Sequence, residues 1–489
     1  MNRRAFLASS AGASFAQTTA KSKMNVLMIA IDDLRPELGC YGAKHVISPN
    51  IDALARRGTH FTRAYCQQAV CSPSRTSLLT GLRPDTTQVY ELRTHFRKNL
   101  PDATTLPEAF KKAGYETTGF GKIFHNGLDD TRSWSIPHWM PGPNRAAWNS
   151  PEARSAAEAF TSKLSQDGWT IGSTSSRAGS RGPAWDSPDV ADHELPDGQT
   201  TEQVIQALSV LKDKPFFLAA GFAKPHLPFI APKKYFDMYP LDKVQMPDYP
   251  ERPSGAPEVA FHANGELRFY GNIGTDPITA EKARHLVRAY YAATTYVDTL
   301  IGRVLASLDK LGLRENTIVA LWGDHGWHLN NHGLWQKHSN FEKATNSLLV
   351  VSDPRQKRKG ARCERLVEFV DIYPTLADCA GVARPDSLEG ASFRRLLDDP
   401  SLRWKSAAFS QYPRVQDKKE VMGYTMRTER YRYTEWRWKG SEEVIEKELY
   451  DYETDPRESV NHAKNPENAE LIERLAAQMK AGWKGAKPV

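Results

Sequence analysis

"NVLMIAIDD", residues 25–33, decides the fold. Six apolar residues run without a break from Val26 to Ile31 and then stop at two carboxylates, Asp32 and Asp33. A strand with one wet face alternates apolar and polar residues; one that does not alternate is buried on both faces, as in a parallel sheet covered by helices. The same arrangement, an apolar run closing on ionisable residues, recurs in "TTGFGKIFH" (117–125), "PFFLAAGFAKPH" (215–226) and "NTIVALWGDHG" (316–326). Helical patterns lie between these runs. In "SPNIDALARRG" (48–58), Ser48 reads as the N-cap, Pro49 as the first helical residue and Gly58 as the stop. Val297, Leu300, Ile301, Val304, Leu305, Leu308 and Leu311 fall on one helical face that Gly312 closes. Alternating buried strands and helices predict an α/β fold, a large mostly parallel sheet between helices. Ligands in such folds bind beyond the carboxyl ends of the strands, where these ionisable clusters stand.

The 489 residues exceed one ordinary domain. Residues 1–20, "MNRRAFLASSAGASFAQTTA", carry paired Arg3 and Arg4, a short apolar stretch and small residues, the pattern of a twin-arginine export signal. This predicts a periplasmic or secreted protein, and no later stretch reaches the ~18 apolar residues of a membrane span. Residues 21–400 read as the catalytic domain. Beyond them, "MGYTMRTERYRYTEWRW" (422–438) and "ELYDYETDP" (448–456) predict a smaller antiparallel-sheet subdomain over 401–489, with a last helix near 467–483. Residues 141–189, rich in Pro, Gly, Ser and Ala, read as a surface insertion framing a cleft. A net charge of +7 suits an anionic substrate, but no basic block alternates with aromatics as a nucleic-acid groove requires. Of five cysteines, Cys40, Cys66, Cys363 and Cys379 allow up to two bridges, although buried thiols are the simpler reading.

The strand-end clusters carry the chemistry. Asp32, Asp33 and Asp324 repel one another unless a cation joins them, and hard oxygen donors select calcium or magnesium. Lys122 with His125, Lys224 with His226, and Lys337 with His338 place cations and proton carriers around the same rim. Lysine suits the grip of a tetrahedral oxyanion, and histidine moves protons near neutral pH.

"CSPSRTSLLTG" (71–81) resembles the Cys-x-Pro-Ser-Arg signature of the type I sulfatases, in which the cysteine is oxidised to formylglycine. "DD", "SPNIDALARRGTHF", "GKIFH", "KPH", "GDHG" and "LYDYETDP" extend the resemblance over nearly the whole chain after the leader. "GLRPDTTQVY" (81–90), "GFAKPHLPF" (221–229), "KHSNFEKAT" (337–345), "SQYPR" (410–414) and "MGYTMRT" (422–428) are similar to the branch acting on 2-O-sulfated uronic acids. The resemblance implies an alkaline-phosphatase-like fold and a sulfuric ester hydrolase matured by a formylglycine-generating enzyme. It implies calcium held by Asp32, Asp33, Asp324, His325 and the modified Cys71, although an imidazole is an awkward ligand for so hard an ion. In that scheme one hydroxyl of the hydrated aldehyde attacks sulfur, and loss of the other hydroxyl's proton expels sulfate. Arg75 orients the hydrate, His125 is the base, Lys122 and Lys337 clamp the sulfate, and His226 protonates the leaving sugar oxygen, with His338 the next candidate for that proton. The implied substrate is a sulfated oligo- or polysaccharide. Two other readings compete: a phosphonate or phosphate mono- or diesterase of the same superfamily, and a catalytically idle binder of sulfated glycans.

Overall fold

An apolar strand with no solvent face has to lie inside its sheet, and in the computed structural model β1 (Asn25–Ile31) is buried along its whole length. The structure describes residues 23–488 except 143, 145–147, 149, 152, 156–157, 159–181 and 275–276. The predicted export signal and most of the predicted insertion therefore lie outside the described residues. In chain order the main sheet contains β1, β2 (Thr59–Phe61), β3 (Glu116–Gly121), β4 (Phe216–Phe222), β5 (Thr317–Gly323), β6 (Leu349–Ser352) and β7 (Ala361–Cys363). Their spatial order is β7-β2-β6-β5-β1-β4-β3. All pairings are parallel except those of β6, which runs antiparallel to both β2 and β5.

The two faces of the sheet feed two cores. Leu27, Ile29 and Ile31 of β1 join Val204 and Leu208 of one helix (Pro196–Leu211) and Leu300, Ile301 and Val304 of the 31-residue helix Ala280–Lys310. Val26, Met28 and Ala30 join Leu78 and Leu79 of the helix Cys71–Thr80 and Ile372 and Leu376 of the helix Ile372–Ala380. Side chains alternate across a strand, so six consecutive apolar residues supply three to each core.

One expected feature is built differently. The helix Pro49–Arg57 does start after Ser48, but Ser48 does not cap it. Its Oγ accepts from Gly39 N and donates to Asp52 Oδ1. The first-turn N–H groups of Asn50 and Ile51 donate instead to Asp298 Oδ1, at 3.1 and 2.7 Å, from the long helix. A distant buried carboxylate thus replaces the local hydroxyl as acceptor.

Beyond residue 400, β8 (Ala408–Gln416), β9 (Lys419–Arg427), β10 (Tyr431–Trp438) and β11 (Val444–Asp451) form an antiparallel meander. Met426, Tyr433 and Leu449 pack on Ile472, Leu475 and Met479 of the final helix, Ala469–Gly485. This sheet is tied to the strand-end side of the main domain: Asn340 Nδ2 donates to Gly423 O at 3.0 Å, and Arg432 Nη1 to Asn340 O at 2.8 Å. All five cysteines are unbridged thiols, four of them buried. Among the described residues no helix is long and apolar enough to cross a membrane.

Candidate active site

The site forms where β1, β3, β4 and β5 end. Two glycines let those ends close together: a Cβ on Gly221 would stand 2.2 Å from the Lys122 carbonyl oxygen, and one on Gly121 (φ 70°) 2.1 Å from Gly221 O. Consecutive strand residues ordinarily point to opposite faces. Asp33 instead takes a left-handed conformation (φ 62°), and the Asp32 and Asp33 carboxylates both reach the site. Its backbone is pinned on both sides, the N–H donating to Asp324 Oδ1 at 3.1 Å and the carbonyl accepting from Tyr290 OH at 2.8 Å.

Cys71 is the first residue of a ten-residue helix in which every residue is buried. The helix N-terminus adds a partial positive charge beside its side chain. One turn on, Arg75 is fully buried; its Nε donates to Asp324 Oδ2 at 2.8 Å, its Nη2 to Asp32 Oδ1 at 3.2 Å, and its Nη1 to the carbonyls of Lys122 and Ile123. Arg75 therefore fixes both carboxylates and the chain that presents Lys122. Ser74 Oγ adds a bond to the Asp324 carbonyl.

His325 Nδ1 faces the Gly326 carbonyl at 3.0 Å, so that nitrogen carries the hydrogen. Nε2 faces Cys71 Sγ, 3.4 Å away, with Asp33 Oδ1 at 3.4 Å and Asp324 Oδ1 at 3.5 Å. Ligand atoms of Asp32, Cys71, Asp324 and His325, all buried, lie within 4.8 Å of one another and could hold a metal ion. The same holds for Asp33, Cys71 and His226.

Charge in this buried cluster is tightly paired. Burial opposes the Asp32 charge, but Lys122, His226 and Arg75 outweigh it and hold the carboxyl well below the usual range. Lys122 Nζ donates to Asp32 Oδ2, and Lys337 Nζ donates to both Asp33 oxygens at 3.1 Å. Burial still pushes Asp33 up to about 7 against the pull of Lys337. Each converging carboxylate pairs with Arg75 or a lysine, and the remaining oxygens, hard donors gathered in a buried site, fit a divalent ion with oxygen ligands. Burial, then the Asp32 charge, push the Cys71 thiol well above its ordinary range. An unmodified thiol here is neutral and a weak nucleophile.

His226 sits at the open side, its side chain 24% exposed, with Nε2 3.1 Å from Glu266 Oε1 and 3.7 Å from Asp33 Oδ2. Its neighbour Lys224 does not reach the rim; its ammonium donates to the His226 and Pro228 carbonyls and shapes the loop. His125 is buried just beyond the end of β3. His338 is half-buried, with Nδ1 3.1 Å from Gln336 Nε2. Asp32, Asp33, Cys71, Arg75, Lys122, His226, Asp324, His325 and Lys337 therefore meet in one contact network. Glu266 belongs to it as well and was not among the residues expected from sequence: it lies in a four-residue helix, Gly265–Arg268, inside a stretch without periodicity.

A mostly parallel sheet between helices, with a small antiparallel sheet against its strand ends, is an alkaline-phosphatase-like fold, and acidic and basic residues converge on a buried helix N-terminus at those strand ends. The family model for sulfatases matches residues 24–382, and that for the C-terminal region of N-sulphoglucosamine sulphohydrolase matches 330–484. The chain belongs to the sulfatase family and is a sulfuric ester hydrolase. It is 35% identical to human iduronate 2-sulfatase, covering 92% of this chain and 93% of that one, and 32% identical to a sulfatase of Formosa agariphila, covering 93% and 86%. Among solved structures, a phosphonate monoester hydrolase of Agrobacterium radiobacter aligns with a TM-score of 0.72 at 24% identity, over 94% of this chain and 95% of that one. A 2-O GAG sulfatase aligns with a TM-score of 0.71 at 23% identity, over 94% and 91%. At these identities the structural likenesses speak for the fold.

Proposed function

We propose that the chain removes sulfate from 2-O-sulfated uronic acid residues of a sulfated oligo- or polysaccharide, using a formylglycine made from Cys71 by a maturation enzyme and a calcium ion. The observation that carries the chemistry is the placement of Cys71: a buried residue at a helix N-terminus, 3.4 Å from His325 Nε2 and walled by aspartates that Arg75, Lys122 and Lys337 hold in place. Near full-length similarity to an iduronate 2-sulfatase supports the uronate substrate. The family at large does not narrow the sugar, since relatives also include arylsulfatases and a choline-sulfatase.

Asp32, Asp33, Asp324 and His325 would hold the calcium together with residue 71. Calcium would neutralise sulfate oxygens, and formylglycine would supply a hydrated aldehyde as nucleophile. The rest falls to this chain's own side chains. Arg75 keeps Asp32 and Asp324 fixed while residue 71 reacts. Lys122 and Lys337, each bonded to an aspartate at the strand ends, grip sulfate oxygens. His125 accepts a proton from the residue 71 side chain. His226, the exposed member of the group, donates a proton to the leaving sugar oxygen. We assign residues 21–400 to catalysis, 401–489 to a subdomain that braces the site, and 1–20 to export into the periplasm or beyond.

Sulfate release from a panel of defined oligosaccharides tests the substrate. Release from 2-O-sulfated uronate ends, with little from 6-O- or N-sulfated ones, is the expected result. A preference for another position would overturn the uronate assignment and leave the sulfatase class standing.

A further inference from the structure

Glu266 places a negative charge against the very lysine assigned to hold the substrate's oxyanion. Its carboxylate lies 2.9 Å (Oε2) and 3.2 Å (Oε1) from Lys337 Nζ, and Oε1 is 3.1 Å from His226 Nε2. The position is built into the fold: Gln336 Oε1 accepts from Glu266 N at 2.9 Å, and Asn264 Oδ1 accepts from Trp335 N at 2.9 Å, binding this short segment to the loop that carries Lys337. Lys337 is itself buried, its ammonium 5.0 Å from the centre of the Trp327 ring, so little water screens the pair. Burial opposes the Glu266 charge, but Lys337 and His226 outweigh it and keep the carboxyl well below its usual range.

The reaction as proposed does not call on this carboxylate. It is no member of either group of clustered metal-binding atoms, and it weakens the field of a lysine that a purely attractive site would leave at full strength. What it changes is the charge the site tolerates. A sulfate monoester carries one negative charge, whereas a phosphate monoester carries nearly two near neutral pH, its second ionisation falling at about 6. The same fold houses a phosphonate monoester hydrolase, and a phosphonate monoester, like a sulfate monoester, carries one negative charge. Discrimination against a second charge falls to side chains near the oxyanion.

We propose that Glu266 is a specificity-determining residue that sets the preference for monoanionic sulfate esters by repelling the second charge of a phosphate monoester. This rests on the sulfatase reading and on Lys337 as an oxyanion grip. An oxygen held by Lys337 lies within about 6 Å of the Glu266 carboxylate; at that distance and an effective dielectric constant of about 20, one extra unit charge weighs on the order of a hundredfold. Partial neutralisation by Lys337 lowers the expectation to about tenfold or more.

The test compares p-nitrophenyl sulfate, p-nitrophenyl phosphate and bis(p-nitrophenyl) phosphate at pH 8 on the matured full chain and on Glu266→Gln, Glu266→Ala and Glu266→Asp. Overall rates are expected to fall in the neutral variants, because Lys337 and His226 lose a partner; the ratio of kcat/KM values is the readout. Gln and Ala should raise the phosphate-to-sulfate ratio by about tenfold or more, while Asp keeps the wild-type ratio. The diester, a monoanion, should track the sulfate ester in every variant. A phosphate-to-sulfate ratio unchanged in a folded Gln or Ala variant would overturn the proposal while the sulfatase reading stands. A diester ratio that rises as much as the monoester ratio would overturn it too, by showing that charge is not the cause. Absence of sulfate release by the matured wild type would remove the underlying reading and this proposal together.

Discussion

Arg75 and Asp324 share a hydrogen-bonded ion pair, Nε to Oδ2 at 2.8 Å, in which neither side chain has any exposure to solvent. Breaking a buried pair from one side strands the other charge, at a cost of about 3–5 kcal/mol. Arg75→Ala should lose stability in that range by denaturant unfolding and lose activity on sulfate esters by about a hundredfold or more, since Asp32 and Asp324 are no longer fixed. Arg75→Lys keeps the charge but cannot reproduce the fork that reaches two carboxylates and two carbonyls, and should fall between the two. Wild-type stability in Arg75→Ala would contradict the arrangement.

Calcium removal should be visible without any assay of turnover. Asp32, Asp33 and Asp324 converge in a buried volume, so chelation should lower the melting temperature and calcium should restore it; magnesium, which demands tighter octahedral geometry, should restore less. An unchanged melting temperature after complete chelation would speak against a metal bound by this cluster.

His226 is expected to matter according to the leaving group. A sugar alkoxide needs a proton as its bond to sulfur breaks, whereas a nitrophenolate leaves unaided. His226→Ala should therefore reduce sugar-sulfate hydrolysis at least tenfold more than nitrophenyl sulfate hydrolysis. Lys122→Ala and Lys337→Ala should reduce both alike, because the sulfate is common to both. Equal losses in His226→Ala would transfer the proton-donor role to another group.

Asp298, whose hydrogen bonds go to the N-terminus of the helix Pro49–Arg57, should reveal itself through pH. Burial raises its carboxyl to about 6, against the hydrogen bonds from Ile51 and Asn50 that lower it. The folded state then binds more protons than the unfolded one between about pH 4 and 6, so this group lowers stability as pH rises through that window, by about 3 kcal/mol in all. Asp298→Asn keeps an acceptor for the helix N-terminus and removes the titration. Its stability relative to wild type should therefore improve from pH 4 to pH 6, with kcat unchanged. A constant difference across that range would refute the raised carboxyl.

What could be read from the sequence was whatever is local. β1, β3, β4 and β5 announce themselves because strands buried on both faces cannot alternate, and their closing Asp, Lys and His residues then mark the site. The direction of β6 was not legible, because "LVVS" reads the same whichever way it pairs. The middle of the long helix was also hidden: Ala289 to Thr295 is buried on every side and shows no polar face for a period to stand against. Asp298 as the acceptor for a helix some 250 residues earlier, and Glu266 as the partner of Lys337, depend on distant approach. No spacing rule reaches either one.

The proposed chemistry turns on residue 71, and mass spectrometry of the peptide that contains it, taken from active enzyme, tests it most directly. The expected result is an aldehyde or its hydrate at position 71, in a fraction that tracks specific activity from one preparation to the next, with Cys71→Ala devoid of sulfatase activity. Fully active enzyme that carries only unmodified cysteine at position 71 would rule out a formylglycine nucleophile.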